Sequence, residues 1–177
     1  MEILVTNKKG KVLEFLMIHP TQEIHLRELS RKINISFPWV RKLSYSLVKE
    51  QFALKRKEGG LVLIKANREN EIFRAQKRSY NLLSLYKVGL VSKLVDLYER
   101  PEAIVLFGSY SRGEDTESSD IDIAIITRRN IIPDLSLFEK GLDRKIKLIL
   151  LEPDKIEKGF LNTLSNGIVL FGYLEVE

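Results

Sequence analysis

Two aspartates one residue apart, Asp120 and Asp122, are the clearest chemical pair in this 177-residue chain. They open a stretch, Asp120 to Ile126, that alternates acid and aliphatic before turning fully apolar, the pattern of a strand entering a core. With a side-chain period of two, both carboxylates point to one face while Ile121 and Ile123 point to the other. At about 3.3 Å per residue the two acids start roughly 6.6 Å apart. That spacing suits two carboxylates that share one divalent cation or flank a pair of cations about 4 Å apart. Upstream, Ala103 to Phe107 is a short apolar run that reads as a buried strand, broken by Gly108-Ser109. A glycine there lets backbone approach a phosphate, and the serine offers a hydroxyl and its N–H at the start of a helical turn, where anions are stabilised. One end of the segment is suited to gripping phosphates, the other to holding hard cations.

Each half alone is commonplace, since Gly-Ser after a strand is an ordinary turn and Asp-x-Asp an ordinary solvated strand edge. The two are joined here by ten residues, Tyr110 to Ser119, with a strand on each side. That combination resembles the signature of the nucleotidyltransferase superfamily that includes DNA polymerase β. Phe107-Gly108-Ser109-Tyr110-Ser111-Arg112-Gly113, with Ser119-Asp120-Ile121-Asp122, is most similar to the minimal nucleotidyltransferases of bacteria and archaea. The resemblance spans roughly residues 101 to 151. It implies Mg²⁺ and ATP or another NTP as cofactors, with Asp120 and Asp122 as the catalytic metal ligands. It further implies Gly108, Ser109, Arg112 and Ser119 as nucleotide-binding residues. Active members carry a third carboxylate on the next strand, facing the pair; the matching place in Arg144-Lys145-Ile146-Lys147-Leu148 holds Lys147. Lysine cannot ligate a cation, and Asp143, four residues earlier, falls in a loop. Two readings stay open: an enzyme that moves a nucleotidyl group to a hydroxyl, and a binding module for which the nucleotide is a signal. A third, antitoxin-like reading comes from the resemblance alone, because minimal nucleotidyltransferases often pair with a small helical toxin.

The rest of the chain must position these groups. It is 44% apolar, has no cysteine, and contains no apolar run long enough for a membrane span. No secretory signal opens it, and His19 and His25 read as surface residues. The expected compartment is the cytoplasm, with no membrane partner. Charge is unevenly placed. Up to Ala66 there are thirteen Lys/Arg against six Asp/Glu, a net +7, while the remainder is slightly acidic. The front of the chain therefore suits a polyanionic partner.

Met1 to Asn7 reads as a short strand or an unstructured start. Helical spacing marks Lys11 to Ile18, then a second helix with Leu26, Leu29 and Ile33 inward, stopping near Asn34. Ser36 is the expected N-cap of a third helix reaching about Gln51, with Val40, Leu43 and Leu47 inward. Phe52 to Lys57 and Leu61 to Lys65, joined around Glu58-Gly59-Gly60, read as a β-hairpin. Three helices and a hairpin is the order of a winged helix-turn-helix, whose third helix enters a major groove. Its candidate duplex DNA contacts are Trp39, Arg41, Lys42 and Tyr45 on the helix, and Lys55, Arg56 and Lys57 on the wing. The same unit also suits dimerisation or protein docking, and a homodimer is a natural arrangement for such a domain.

Residues 67–100 read as helical, a linker or a first packing layer, with a break near Gly89. Leu135, Phe138 and Leu142 suggest a helix, Lys145 to Leu151 a strand, and Pro153 the start of a last helix with Ile156, Phe160 and Leu161 inward. The apolar segment Ile168 to Leu174 is too short to assign. The expected fold is α+β: a winged helix-turn-helix over 1–66, a helical linker over 67–100, and a nucleotidyltransferase-like α/β domain with a small mixed sheet over 101–177. Such fusions resemble archaeal proteins classed as transcriptional regulators.

Overall fold

The computed structural model describes residues 7–175. The stretch read as a short strand or an unstructured start lies outside them, apart from Asn7, whose side chain caps the first helix by accepting from Gly10 N–H at 2.8 Å. The chain forms two compact units, Met1–Lys77 and Arg78–Glu177.

The first unit contains α1 (Lys8–Ile18), β1 (Ile24–His25), α2 (Leu26–Lys32), α3 (Phe37–Lys49), β2 (Ala53–Glu58) and β3 (Leu61–Ala66). Val12, Leu16, Leu29, Val40 and Leu47 are fully buried and hold the three helices on the sheet. Asn34 stands in the left-handed region, φ 51°, where α2 ends. Ser36 occupies the N-cap of α3 but its side chain makes no capping bond. The inward position expected for Leu43 belongs to Ser44, because helical spacing carries the buried stripe through 40, 44 and 47. Gly59 and Gly60, both at positive φ, form the two-residue turn that joins β2 to β3. The strand order is β1-β3-β2, all antiparallel. A two-residue β1 carries no periodic signal and exists only through its pairing with β3.

The second unit is a four-stranded mixed sheet with helices on both faces. Its elements are α4 (Glu71–Lys87, which begins in the first unit), α5 (Leu90–Leu97), β4 (Ala103–Phe107), α6 (Gly108–Arg112), β5 (Ile121–Ile126), α7 (Ser136–Leu142), β6 (Ile146–Leu151), α8 (Lys158–Ser165) and β7 (Ile168–Gly172). The order is β6-β5-β4-β7, with β5 and β6 parallel and the other pairs antiparallel. Central β4 is buried along its whole length, which explains its unbroken apolar run. Ile104 and Leu106 face Leu85, Leu90, Val91, Leu94 and Tyr98 on one side. Val105 and Phe107 face Leu164 and Phe160 on the other. The segment from 67 to 100 is therefore no free linker, since Leu85 and the apolar stripe of α5 are core. The last helix also differs from expectation: Pro153–Lys155 is a separate 3₁₀ turn and α8 starts at Lys158. Ile168–Gly172 becomes an edge strand because β4 supplies the partner that a short apolar segment cannot announce. Among the described residues no helix is long and apolar enough to cross a membrane.

One buried polar cluster fixes the loop between α6 and β5. Asn81 on α4 donates both to the Tyr110 carbonyl at 2.9 Å and to Asp115 Oδ1 at 2.7 Å. Asn81→Ala removes both bonds from a site that excludes water, and a loss of about 1–3 kcal/mol is expected. A fall in the urea midpoint with an unchanged slope checks it.

Candidate functional site

The candidate site lies where β4 ends and β5 and β6 begin. Phe107, Asp122 and Lys147 stand side by side across three strands, through Phe107↔Asp122 in the antiparallel pair and Asp122↔Lys147 in the parallel one. Gly108 follows Phe107 with φ +74°, and a Cβ built on it would fall 2.5 Å from Asp122 Oδ2. The glycine is thus required twice, for its backbone conformation and for the carboxylate lying against it. Asp122 is half-buried and Asp120 exposed. Burial raises the Asp122 carboxyl above the usual carboxylate range, the Lys147 charge opposes that rise, and Asp120 adds to it.

The remaining expected nucleotide contacts divide. Ser109 is half-buried, and its carbonyl accepts from Glu114 N–H at 3.0 Å, which closes the turn after α6. Arg112 is exposed and bound to Glu114 at 2.7 Å. The Ser119 hydroxyl accepts from Thr116 N–H at 2.9 Å, so it shapes the loop that delivers Asp120. Gly108, Ser109, Asp120 and Asp122 are brought together, whereas Arg112 and Ser119 are engaged locally. Asp143 caps the end of α7 at φ 51° and shares an open depression of about 480 Å³ with Asp120, Glu139 and Lys145.

Two carboxylates, completed by phosphate oxygens and water, match the way Mg²⁺ is held at nucleotide sites. Asp120 and Asp122 therefore fit one such ion. Among the described residues no group of three or more His, Cys, Asp or Glu side chains converges.

The first unit carries a second candidate surface. Trp39 is 45% exposed, with Lys8 Nζ 4.9 Å and Lys42 Nζ 5.3 Å from its ring centre. Tyr45 has the Arg41 guanidinium at 5.7 Å and Lys55 Nζ at 5.0 Å, so a residue of the hairpin meets a residue of α3. Arg56 does not join them. Strand alternation turns it away from Lys55 and Lys57, and Glu23 binds it at 2.6 Å, with Glu58 at 3.2 Å. The sequence reading missed Lys8; its signal was the cluster Lys8-Lys9-Gly10-Lys11 at the start of the first helix.

Residues 91–174 match the family described as polymerase beta, nucleotidyltransferase. Over 65 residues the chain is 42% identical to a protein of Methanocaldococcus jannaschii named provisionally as a protein adenylyltransferase. The matched stretch is 37% of this chain and spans 64% of that relative's length. A solved structure, described as a crystal structure of a toxin-antitoxin with AMP-PNP, shares 25% identity over 47% of this chain and 73% of its own, with a TM-score of 0.35.

The start of β6, and with it the place of Lys147, is anchored by Glu139 on α7. One oxygen accepts from Lys145 Nζ at 2.7 Å, the other from Ile146 N–H at 3.0 Å. These partners, the lysine first, hold the Glu139 carboxyl below the usual range. A depressed folded-state value means that its contribution to stability is present above about pH 4.5 and is lost as pH falls through the folded value. Glu139→Gln should lower the melting temperature at pH 7, with the gap to wild type closing in acid. Thermal melts at a series of pH values check this.

Proposed function

We propose that the second unit binds a nucleoside triphosphate with Mg²⁺ at Gly108, Ser109, Asp120 and Asp122, and moves its nucleotidyl group to a hydroxyl. The observation that carries this reading is the close approach of Gly108 to Asp122, inside a stretch that matches the nucleotidyltransferase family. Gly108 and the first N–H groups of α6 receive phosphate oxygens, and Asp120 and Asp122 hold the cation. When bound, Mg²⁺ supplies charge neutralisation for the phosphates and for the developing pyrophosphate. The 42% identical relative favours ATP as the nucleotide and a protein hydroxyl as the acceptor. In that reaction the hydroxyl oxygen bonds to the α-phosphorus, the bond to the bridging oxygen breaks, and pyrophosphate leaves. The hydroxyl proton passes to solvent.

At a hundredfold excess over Kd, ATP with Mg²⁺ should stabilise the protein by about 2.7 kcal/mol, a rise in melting temperature of roughly 5–10 °C. Asp120→Asn with Asp122→Asn should abolish that rise while leaving the circular dichroism unchanged. Gly108→Ala should do the same, because its methyl group displaces the Asp122 carboxylate. Transfer itself is read by incubation with α-labelled ATP and candidate acceptors.

For the first unit the proposed role is that of a winged helix-turn-helix that binds duplex DNA and makes the chain a regulator. Support comes from the net +7 charge up to Ala66 and from the interleaving of Trp39 and Tyr45 with Lys8, Arg41, Lys42 and Lys55. Each phosphate contact contributes about 0.9 to the slope of log K against log salt. Lys55→Ala with Lys57→Ala should weaken binding on every sequence and flatten that slope by about 2. Arg56→Ala should leave it nearly unchanged, because Glu23 already neutralises the guanidinium. Arg41→Ala should relax sequence preference. Fluorescence anisotropy of labelled duplexes across a salt series separates the three outcomes.

A further inference from the structure

The charges on β6 bear on how many cations the proposed nucleotide site takes. In the parallel pair Lys147 is the register partner of Asp122. Two residues upstream, Lys145 lies near enough to Asp120 to feel its charge, but its Nζ is bound to Glu139. Lys147 is exposed and makes no such bond among the described residues, so its ammonium is available to whatever lies beside Asp122. Two divalent cations about 4 Å apart repel each other strongly and are held together by bridging acids. Among the described residues no third acid joins the two aspartates, and the side chain that β6 sets beside Asp122 is a lysine.

We propose that Lys147 takes the place of a second divalent cation, so that this site binds one nucleotide with a single Mg²⁺ and uses the ammonium as its other phosphate-facing charge. The inference rests on the nucleotide reading given above and deepens it. A lysine is a fixed point charge with three donors on a flexible stem, able to follow a phosphate oxygen as a ligand-bound ion cannot. It also stays in place when metal is removed. Nucleotide should therefore keep measurable affinity in chelator, carried by Lys147, Gly108 and the turn after it.

The test counts cations. Wild type, Lys147→Asp and Lys147→Met are saturated with the non-hydrolysable α,β-methylene analogue of ATP and titrated with Mn²⁺, free Mn²⁺ being read by electron paramagnetic resonance. Nucleotide binding is followed separately with a fluorescent ATP analogue, with Mn²⁺ and in chelator. One Mn²⁺ per bound nucleotide is expected in wild type and in Lys147→Met, and two in Lys147→Asp. Lys147→Met should bind nucleotide in chelator about tenfold or more weakly than wild type, the loss of one charge-assisted hydrogen bond. Lys147→Met keeps the length of the side chain and decides the matter if the aspartate variant does not fold. Two Mn²⁺ in wild type, or an unchanged nucleotide affinity in Lys147→Met, would overturn the proposal while leaving the nucleotide reading intact. Absence of nucleotide binding in wild type under all conditions would overturn both.

Discussion

The register of β5 against its two neighbours is the constraint on which the site depends. Ile121, Ile123 and Ile125 are fully buried on one face of the sheet, against α4 and α5. Because side chains alternate, a slip of one residue would drive Asp120 and Asp122 into that core and bring three isoleucines out. The penalty for burying two carboxylates is large enough to exclude the slipped pairing. Once β5 is set, antiparallel β4 brings Phe107 and Gly108 to one side of Asp122, and parallel β6 brings Lys147 to the other. The apolar face therefore determines the composition of the polar one.

Asp122 shows opposing effects at one atom group. Burial disfavours its charge, the neighbouring Asp120 disfavours it further, and Lys147 favours it; the first effect is the largest. The fold accepts this cost where α6 leaves β4, at the one position whose φ and whose contact with the carboxylate both require glycine. The loop from α6 to β5 is not left to find its own shape. Asn81, Asp115 and the Tyr110 carbonyl tie it to α4 from below, and Ser119 closes it locally on Thr116. Glu139 performs the corresponding task for β6.

In the first unit, net charge overstates what is available to a polyanion. Lys9 is bound to both oxygens of Glu50, and Arg56 to Glu23. Of the remaining basic side chains, four meet two aromatic rings, Lys8 and Lys42 at Trp39, and Arg41 and Lys55 at Tyr45. Trp39 has both ammonium groups within cation–π reach of its ring, which favours keeping it at the surface.

The sequence by itself determined the strands at Ala103–Phe107 and Ile121–Ile126, the glycine between them, and the helices and hairpin of the first unit. These are local: an apolar run, a period of two or of about 3.6, and a Gly-Gly turn write their geometry into a few neighbouring residues. The family resemblance pointed to Lys147 as the residue facing the aspartates, and the register of β6 against β5 sets it beside Asp122. Only the tertiary structure decided which polar groups remain available. Arg56 matched its expected role by type and position, yet Glu23, 33 residues away, engages it, whereas Arg112 and Ser119 are engaged within their own loop by Glu114 and Thr116. For Arg56, strand alternation decided which acid it would meet. The edge strand Ile168–Gly172 and the two-residue β1 likewise had no local signature, and the choice between linker and packing layer for residues 67–100 was left to the sheet they meet. Each is stabilised by partners far along the chain, and a short segment carries no record of a partner it meets only when the chain has folded.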